Sequence, residues 1–161
     1  VEKDATFVET YDIPNSLKHN ELFIAVFEIE RKFWKSTGRS NSKLIALKYF
    51  AENAVIISPS DAGFWVLTSR DDLMKIEKTS PPWTHCHYKH ITFQEISDDV
   101  AILFYNILAK TTQFTDYGVM VCTTFKKFPD DSWKIISTHH SMPYSPGVDF
   151  EGYKRIVDGL E

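Results

Sequence analysis

The sequence predicts an α+β domain with helices laid over one face of an antiparallel sheet. Three observations carry this. The run from Tyr88 to Ser141 reads as four strands in antiparallel succession, rich in β-branched and aromatic residues. Its turns are Gly, Pro, Asp or Ser clusters: Ser97-Asp98-Asp99, Thr115-Asp116-Tyr117-Gly118 and Pro129-Asp130-Asp131-Ser132. Such spacing marks a strand meander. Before it lies a long stretch with apolar residues at helical period, and helices followed by a run of strands indicate segregated layers.

The chain of 161 residues suits one sizeable core. Hydrophobic residues at 43 % and charged residues at 25 % mark an ordinary globular composition. A formal charge of -4 with no Lys/Arg cluster leaves no footprint for nucleic acid. No run of about 18 apolar residues appears, so no transmembrane helix is expected. Aromatic residues reach 14 %, enough to fill a core and also to line a pocket or an interface. Cys86 and Cys122 match no zinc or redox spacing and read as two buried free thiols in a reducing compartment. With no basic-then-apolar signal pattern at the start, a cytoplasmic location is expected.

In chain order, residues 1–15 read as an extended N-terminal arm. Pro14, Asn15 and Ser16 are suited to starting a helix. From Leu17 to Ser36 the apolar residues form two adjoining stripes: Leu22, Val26, Ile29 and Phe33, beside Phe23, Phe27 and Trp34. Lys18, Glu21, Glu28, Arg31 and Lys35 are expected on the outer side. Gly38 is a C-terminal stop. A shorter helix after Asn41-Ser42 carries Leu44, Ile45, Leu47, Tyr49 and Phe50. Residues 53–58 predict a strand that pairs as a hairpin with Phe64-Trp65-Val66-Leu67. Ser69-Arg70-Asp71-Asp72 resembles a capping box opening a third helix to about Lys78. In residues 101–109 both alternate sets are largely apolar, so the second sheet face needs cover as well. The tail, residues 144–161, has roughly helical apolar spacing, but a partner subunit is the more economical cover. A homodimer through the sheet is therefore expected.

Four strings resemble the nuclear-transport-factor-2-like superfamily: Ile96-Ser-Asp-Asp-Val-Ala101, Tyr117-Gly-Val-Met-Val-Cys-Thr-Thr-Phe125, Asp130-Asp-Ser-Trp-Lys-Ile-Ile136 and His139-His140-Ser141-Met-Pro143. Trp133, with His139 and Ser141 at plus six and plus eight, is the most specific piece. It is similar to small domains near the association (hub) domain of calmodulin-dependent protein kinase II and the SnoaL-like polyketide cyclases. The resemblance spans residues 16–143. It implies a cone, cystatin-like in class: a curved antiparallel sheet wrapped around the long first helix, with a ligand pocket between them and cofactor-free chemistry.

Candidate site residues follow. His139 and His140 alternate across the last strand, so one of them faces inward. In the hub family the position matching His140 is a pocket arginine. That resemblance makes Ile136, Thr138 and His140 the pocket set, with His140 as general acid or base. A second hub-family pocket arginine would fall near Ile107, so the pocket floor here reads as apolar. Tyr105, on the face of Leu103 and Ile107, supplies a polar tip that can orient a carbonyl or hydroxyl. Related isomerases and cyclases use a pocket carboxylate. Glu95, Asp98, Asp99 and Asp116 sit near turns, which leaves Asp61, beside Phe64 and Trp65, as the candidate. The expected walls are Trp34, Tyr49, Trp65, Tyr105, Ile107, Val121 and Thr138. His85 and His87 share one strand face with His90 on the other. That spacing can ligate a metal with His139 or His140, yet no acid stands beside them, and no metal is expected. The functional expectation is a pocket for a small, mostly apolar molecule, serving isomerisation, cyclisation or dehydration. The alternative is a non-catalytic dimerisation or protein-interaction module.

Overall fold

The computed structural model describes residues 6–60, 63–113 and 117–142. Strand β1 (Val8–Tyr11) comes first, then a 3₁₀ turn (Asn15–Leu17), α1 (Glu21–Ser36) and α2 (Ser42–Tyr49). The hairpin of β2 (Phe50–Ser60) and β3 (Gly63–Leu67) follows, then α3 (Arg70–Glu77). The meander closes the described chain: β4 (Trp83–Ser97), β5 (Val100–Thr111), β6 (Tyr117–Lys127) and β7 (Trp133–Ser141). All seven strands form one curled sheet in the order β1-β4-β5-β6-β7-β2-β3. The meander and the hairpin are antiparallel, while β1 joins β4 and β2 joins β7 in parallel.

The expected α+β arrangement is the one observed, with α1 inside the curve of the sheet. The curl has a local cause. Strand β4 changes register against β5 between Lys89 and Thr92, where His90 takes a positive φ of 53°, and again between Glu95 and Ser97. Each extra residue bends its strand and increases the twist. Aromatic pairs then bridge helix and sheet: Phe27 meets Tyr88 edge to face at 5.4 Å, Phe23 meets Phe93 at 5.7 Å, and Phe33 meets Phe50 at 4.9 Å. Burying each such ring is worth about 2 kcal/mol or more, so α1 is held by packing.

Several local expectations need correction. The cap of α1 is Asn20, whose side chain accepts from the Phe23 N–H at 2.9 Å; Pro14, Asn15 and Ser16 close a separate 3₁₀ turn. Asn20 is the residue with extended backbone at the point where the helical dihedrals begin, so it meets the free N–H groups. The buried face of α1 includes Glu30 along with the aromatic residues, while Leu22 is only half-buried. Arg31 does not face open solvent. It pairs with Glu9 of β1 and lies 4.7 Å over the Tyr11 ring, so β1 covers that side of the helix. The part of the arm at residues 8–11 is thus a sheet strand. In α2 the apolar residues look outward more than inward, with Leu44 69 % exposed and only Ser42 and Ala46 buried. Strand β2 is longer than residues 53–58, because it continues past a register shift to pair Phe50 with Ile135. The tail at 144–161 lies outside the described residues.

Strand β7 also departs from simple alternation. A register shift beside Thr124 and Phe125 brings Ile135, not Ile136, onto the buried face with Thr138 and His140. One extra residue flips side-chain parity, which alternation alone cannot show.

The end of α1 has one backbone requirement. Gly38 takes φ +73°, and a Cβ there would lie 2.5 Å from the Ser80 carbonyl oxygen and 2.7 Å from the Pro82 nitrogen. Left-handed backbone costs a side-chain-bearing residue about 1–2 kcal/mol before any clash. Gly38→Ala is expected to lose about 2 kcal/mol or more and roughly 5 °C of melting temperature. Thermal unfolding followed by circular dichroism checks this, and an unchanged midpoint would contradict the close approach.

Candidate functional site

A cavity of about 480 Å³ opens between the second half of α1, the β2–β3 hairpin, α3 and the ends of β6 and β7. That is within the ordinary range for small-molecule sites. Phe33, Trp34 and Thr37 come from α1; Ile56, Ser58, Pro59, Trp65 and Leu67 from the hairpin. Helix α3 adds Leu73, Ile76 and Glu77, and the segment after it adds Ser80, Pro81 and Trp83. Thr111, Tyr117, Gly118, His140 and Met142 complete the lining.

Four rings form one wall. The His140 ring stacks on the Trp34 indole at 5.2 Å and 13°. Trp83 packs against both Trp34 and Tyr117, at 5.4 and 5.2 Å. His140 Nδ1 lies 3.2 Å from the Tyr117 hydroxyl, which is 3.3 Å from Ser58 Oγ. Its Nε2 is buried and has no partner among the described residues. Burial, with the neighbouring His139 charge, lowers the His140 pKa to about 4, so the ring is neutral at pH 7. It can accept a proton or donate through one N–H without first losing a charge.

Glu77 faces the cavity from the last turn of α3. It is 3 % exposed; one oxygen accepts from the Thr37 hydroxyl at 3.2 Å and the other has no partner among the described residues. Desolvation pushes its pKa up to about 7, against the opposing Thr37 hydrogen bond. The Gly38 turn accounts for this pair, since its close approach to Ser80 and Pro82 brings the end of α1 against the end of α3.

A second buried carboxyl lies deeper. The Trp34 Nε1–H donates to the Tyr105 hydroxyl at 2.7 Å, and Tyr105 donates to Glu30 Oε2. Burial raises the Glu30 pKa, while hydrogen bonds from Thr123, Tyr105 and Trp34 act to lower it. This chain orients the Trp34 indole from behind the cavity wall.

No protein-family model matches the chain, and no curated protein does. Solved structures do. A ketosteroid isomerase-like protein from Parabacteroides distasonis superposes with a TM-score of 0.60 at 20 % identity, over 84 % of this chain and 96 % of that one. The association domain of CaMKII from C. elegans gives 0.62 at 9 % identity, over 78 % and 99 %. A scytalone dehydratase-like protein from Novosphingobium aromaticivorans gives 0.60 at 17 %, over 75 % and 85 %. The chain has the nuclear-transport-factor-2-like fold.

Within that cone, Trp34, Trp65 and His140 line the cavity. Tyr105, Ile107, Val121 and Thr138 are buried on the inner sheet face without lining it. Tyr105, Val121 and His140 are cross-strand partners in register, and Thr138 Oγ1 lies 2.9 Å from Thr123 Oγ1. Tyr49 is half-buried at the end of α2, its hydroxyl 3.3 Å from Lys32 Nζ, and is not part of the lining. Asp61 lies outside the described residues, as does Asp116; Glu95, Asp98 and Asp99 are exposed. His85 contacts Thr84, His87 contacts Thr10 and His90 contacts Asn106. Among the described residues no three His, Cys, Asp or Glu side chains gather into a metal-ligand group.

Sequence reasoning missed Glu30, Glu77 and Tyr117. The signal for the acids was present. Glu30 is three and four residues from Phe27, Val26, Phe33 and Trp34, and Glu77 is four from Leu73 and one from Ile76. An acid inside an apolar stripe is either buried or paired, and both acids are buried here.

The two cavity groups oppose each other with pH. His140 binds fewer protons folded than unfolded between its lowered value near 4 and the ordinary 6.5, so its contribution is lost as pH falls through that window. Glu77 binds more protons folded than unfolded between the ordinary 4.5 and about 7, so its contribution is lost as pH rises. Relative to the parent, Glu77→Gln should gain stability from pH 4.5 to 7, and His140→Gln should gain it from pH 6.5 to 4. Each change should be on the order of 2 kcal/mol. Urea unfolding at four pH values measures both. Parallel curves for all three proteins would contradict the assigned burial.

Proposed function

We propose that the cavity binds a small, mostly apolar molecule and carries out cofactor-free proton transfer on it, as in isomerisation, dehydration or cyclisation. The observation that carries this reading is His140. It is neutral and buried, its Nδ1 is held by Tyr117, its Nε2 has no partner among the described residues, and the residue lines a cavity walled by aromatic rings. A positioned imidazole of this kind is a general base for a carbon acid, and its conjugate acid returns the proton at a second position. The Tyr117 hydroxyl, its pKa pushed up to about 12 by burial, stays protonated and serves as a hydrogen-bond donor to a developing oxyanion. Tyr105 belongs to the supporting Trp34–Glu30 chain and acts through Trp34. Solved structures of this fold described as isomerase-like and dehydratase-like are consistent with such chemistry, although fold likeness alone carries no activity.

The test uses a panel of small cyclic and aromatic ketones in D₂O, with deuterium uptake at the α-carbon followed by NMR. Exchange of at least one ketone above background is expected, and His140→Gln should reduce it by roughly 10²-fold or more. Equal exchange by parent and variant, or binding without exchange across the panel, would overturn the reading.

A second reading, a homodimerisation module, is favoured by the outer sheet face. Thr92, Phe104, Cys122, His139, Ile57 and Val66 form one register row across six strands, with Phe104 40 % and Val66 60 % exposed and Met120 on the adjoining row. An apolar row of this length is suited to a matching sheet of a second copy. On this reading, sedimentation velocity gives a dimer that Phe104→Asp converts to monomer with an intact far-UV spectrum. A monomeric parent protein at 50–100 µM, roughly the range where weak dimers persist, would exclude it.

A further inference from the structure

The charge balance of the cavity bears on what can enter it. Among the described residues its lining contains one carboxyl group, Glu77, and no Lys or Arg. The imidazole of His140 is neutral at pH 7. The cations near Glu77 in sequence turn elsewhere: Lys75 is exposed and pairs with Asp72, and Lys78 is exposed. Arg39, at the other end of the adjoining turn, donates to the Lys35 and Trp83 carbonyl oxygens. One oxygen of this cavity-lining Glu77 is thus buried with no donor to meet it among the described residues. A buried carboxylate without a partner is costly, and an arriving cation removes that cost. The lining also includes the aromatic rings of Trp34, Trp83 and Tyr117, with Trp65 at 46 % exposure on the hairpin. Aromatic faces attract organic cations through their quadrupoles, most strongly where water is excluded.

We infer that the cavity selects an apolar molecule bearing one cationic nitrogen, a protonated amine or a quaternary ammonium, with Glu77 as its counter-charge and the indole rings as its walls. The inference rests on the proposed ligand-binding role of this cavity and narrows the ligand class. It leaves proton transfer to His140, which lines the same cavity. Anionic molecules are disfavoured by the same arrangement, because none of the described lining residues offsets a second negative charge.

Three benzyl probes of different charge test this: benzyltrimethylammonium, its neutral isostere neopentylbenzene, and the anion phenylacetate. Each is titrated into the full chain at pH 7.5, with binding read from tryptophan fluorescence and from the indole N–H signals. The ammonium should bind at least tenfold more tightly than neopentylbenzene, with phenylacetate weakest. Glu77→Gln should bring the ammonium to within about twofold of the neutral isostere and leave the isostere unchanged. The ratio in the parent protein decides the matter even where the variant does not fold. Equal or tighter binding of neopentylbenzene would overturn the cationic preference while leaving the apolar cavity in place. Failure of all three probes to bind at millimolar concentration would overturn the inference and the ligand-binding role together.

Discussion

The indole of Trp34 makes contacts in three directions, and each holds a different part of the molecule. Its N–H donates to Tyr105, which donates to Glu30, tying the second half of α1 to the centre of β5. One ring face stacks on His140 of β7. Its edge region meets Trp83 and Tyr117, at the starts of β4 and β6. A helix placed inside a curled sheet has rotational freedom about its axis if only apolar contacts hold it. The buried hydrogen-bond chain removes that freedom, because any rotation would strand a carboxyl and a hydroxyl in apolar surroundings. The cavity therefore has a rigid back wall.

The two buried helix carboxyls differ in their surroundings and so in what they can do. Glu30 is enclosed and held by Tyr105, with its charge disfavoured by burial. It belongs to the scaffold. Glu77 has only Thr37 as a hydrogen-bond partner among the described residues, and it lines the cavity. His140 is shifted in the opposite sense by the same physical cause, loss of hydration. Pairs of titratable groups pushed apart in this way are what acid and base roles require.

The sheet has two unlike faces. Inside, Ala101, Leu103, Tyr105, Ile107 and Ala109 of β5 are buried against α1. Outside, Phe104 and Met120 remain exposed beside half-buried Ile102 and Leu108. The proposed ligand cavity lies on the inner side of the sheet and the proposed dimer surface on the outer side. Nothing in the packing makes these two uses exclusive, since they draw on opposite sides of the same strands.

By itself, the sequence determined the order of elements, the meander and the aromatic face of α1. These depend on local period, turn chemistry and capping, which act over a few residues. Tertiary structure alone decided the rest. The bulge in β7 exchanged Ile136 for Ile135 on the buried face, and the bulges in β4 set the curl. The meeting of Thr37 with Glu77 depends on the close approach of Gly38 to the segment before β4, across some forty residues of chain. The apolar spacing around Glu30 and Glu77 marks them as unusual acids but does not say what they do, because a carboxyl acquires its chemistry from desolvation. Desolvation is a property of everything folded around a group, and local spacing does not record it.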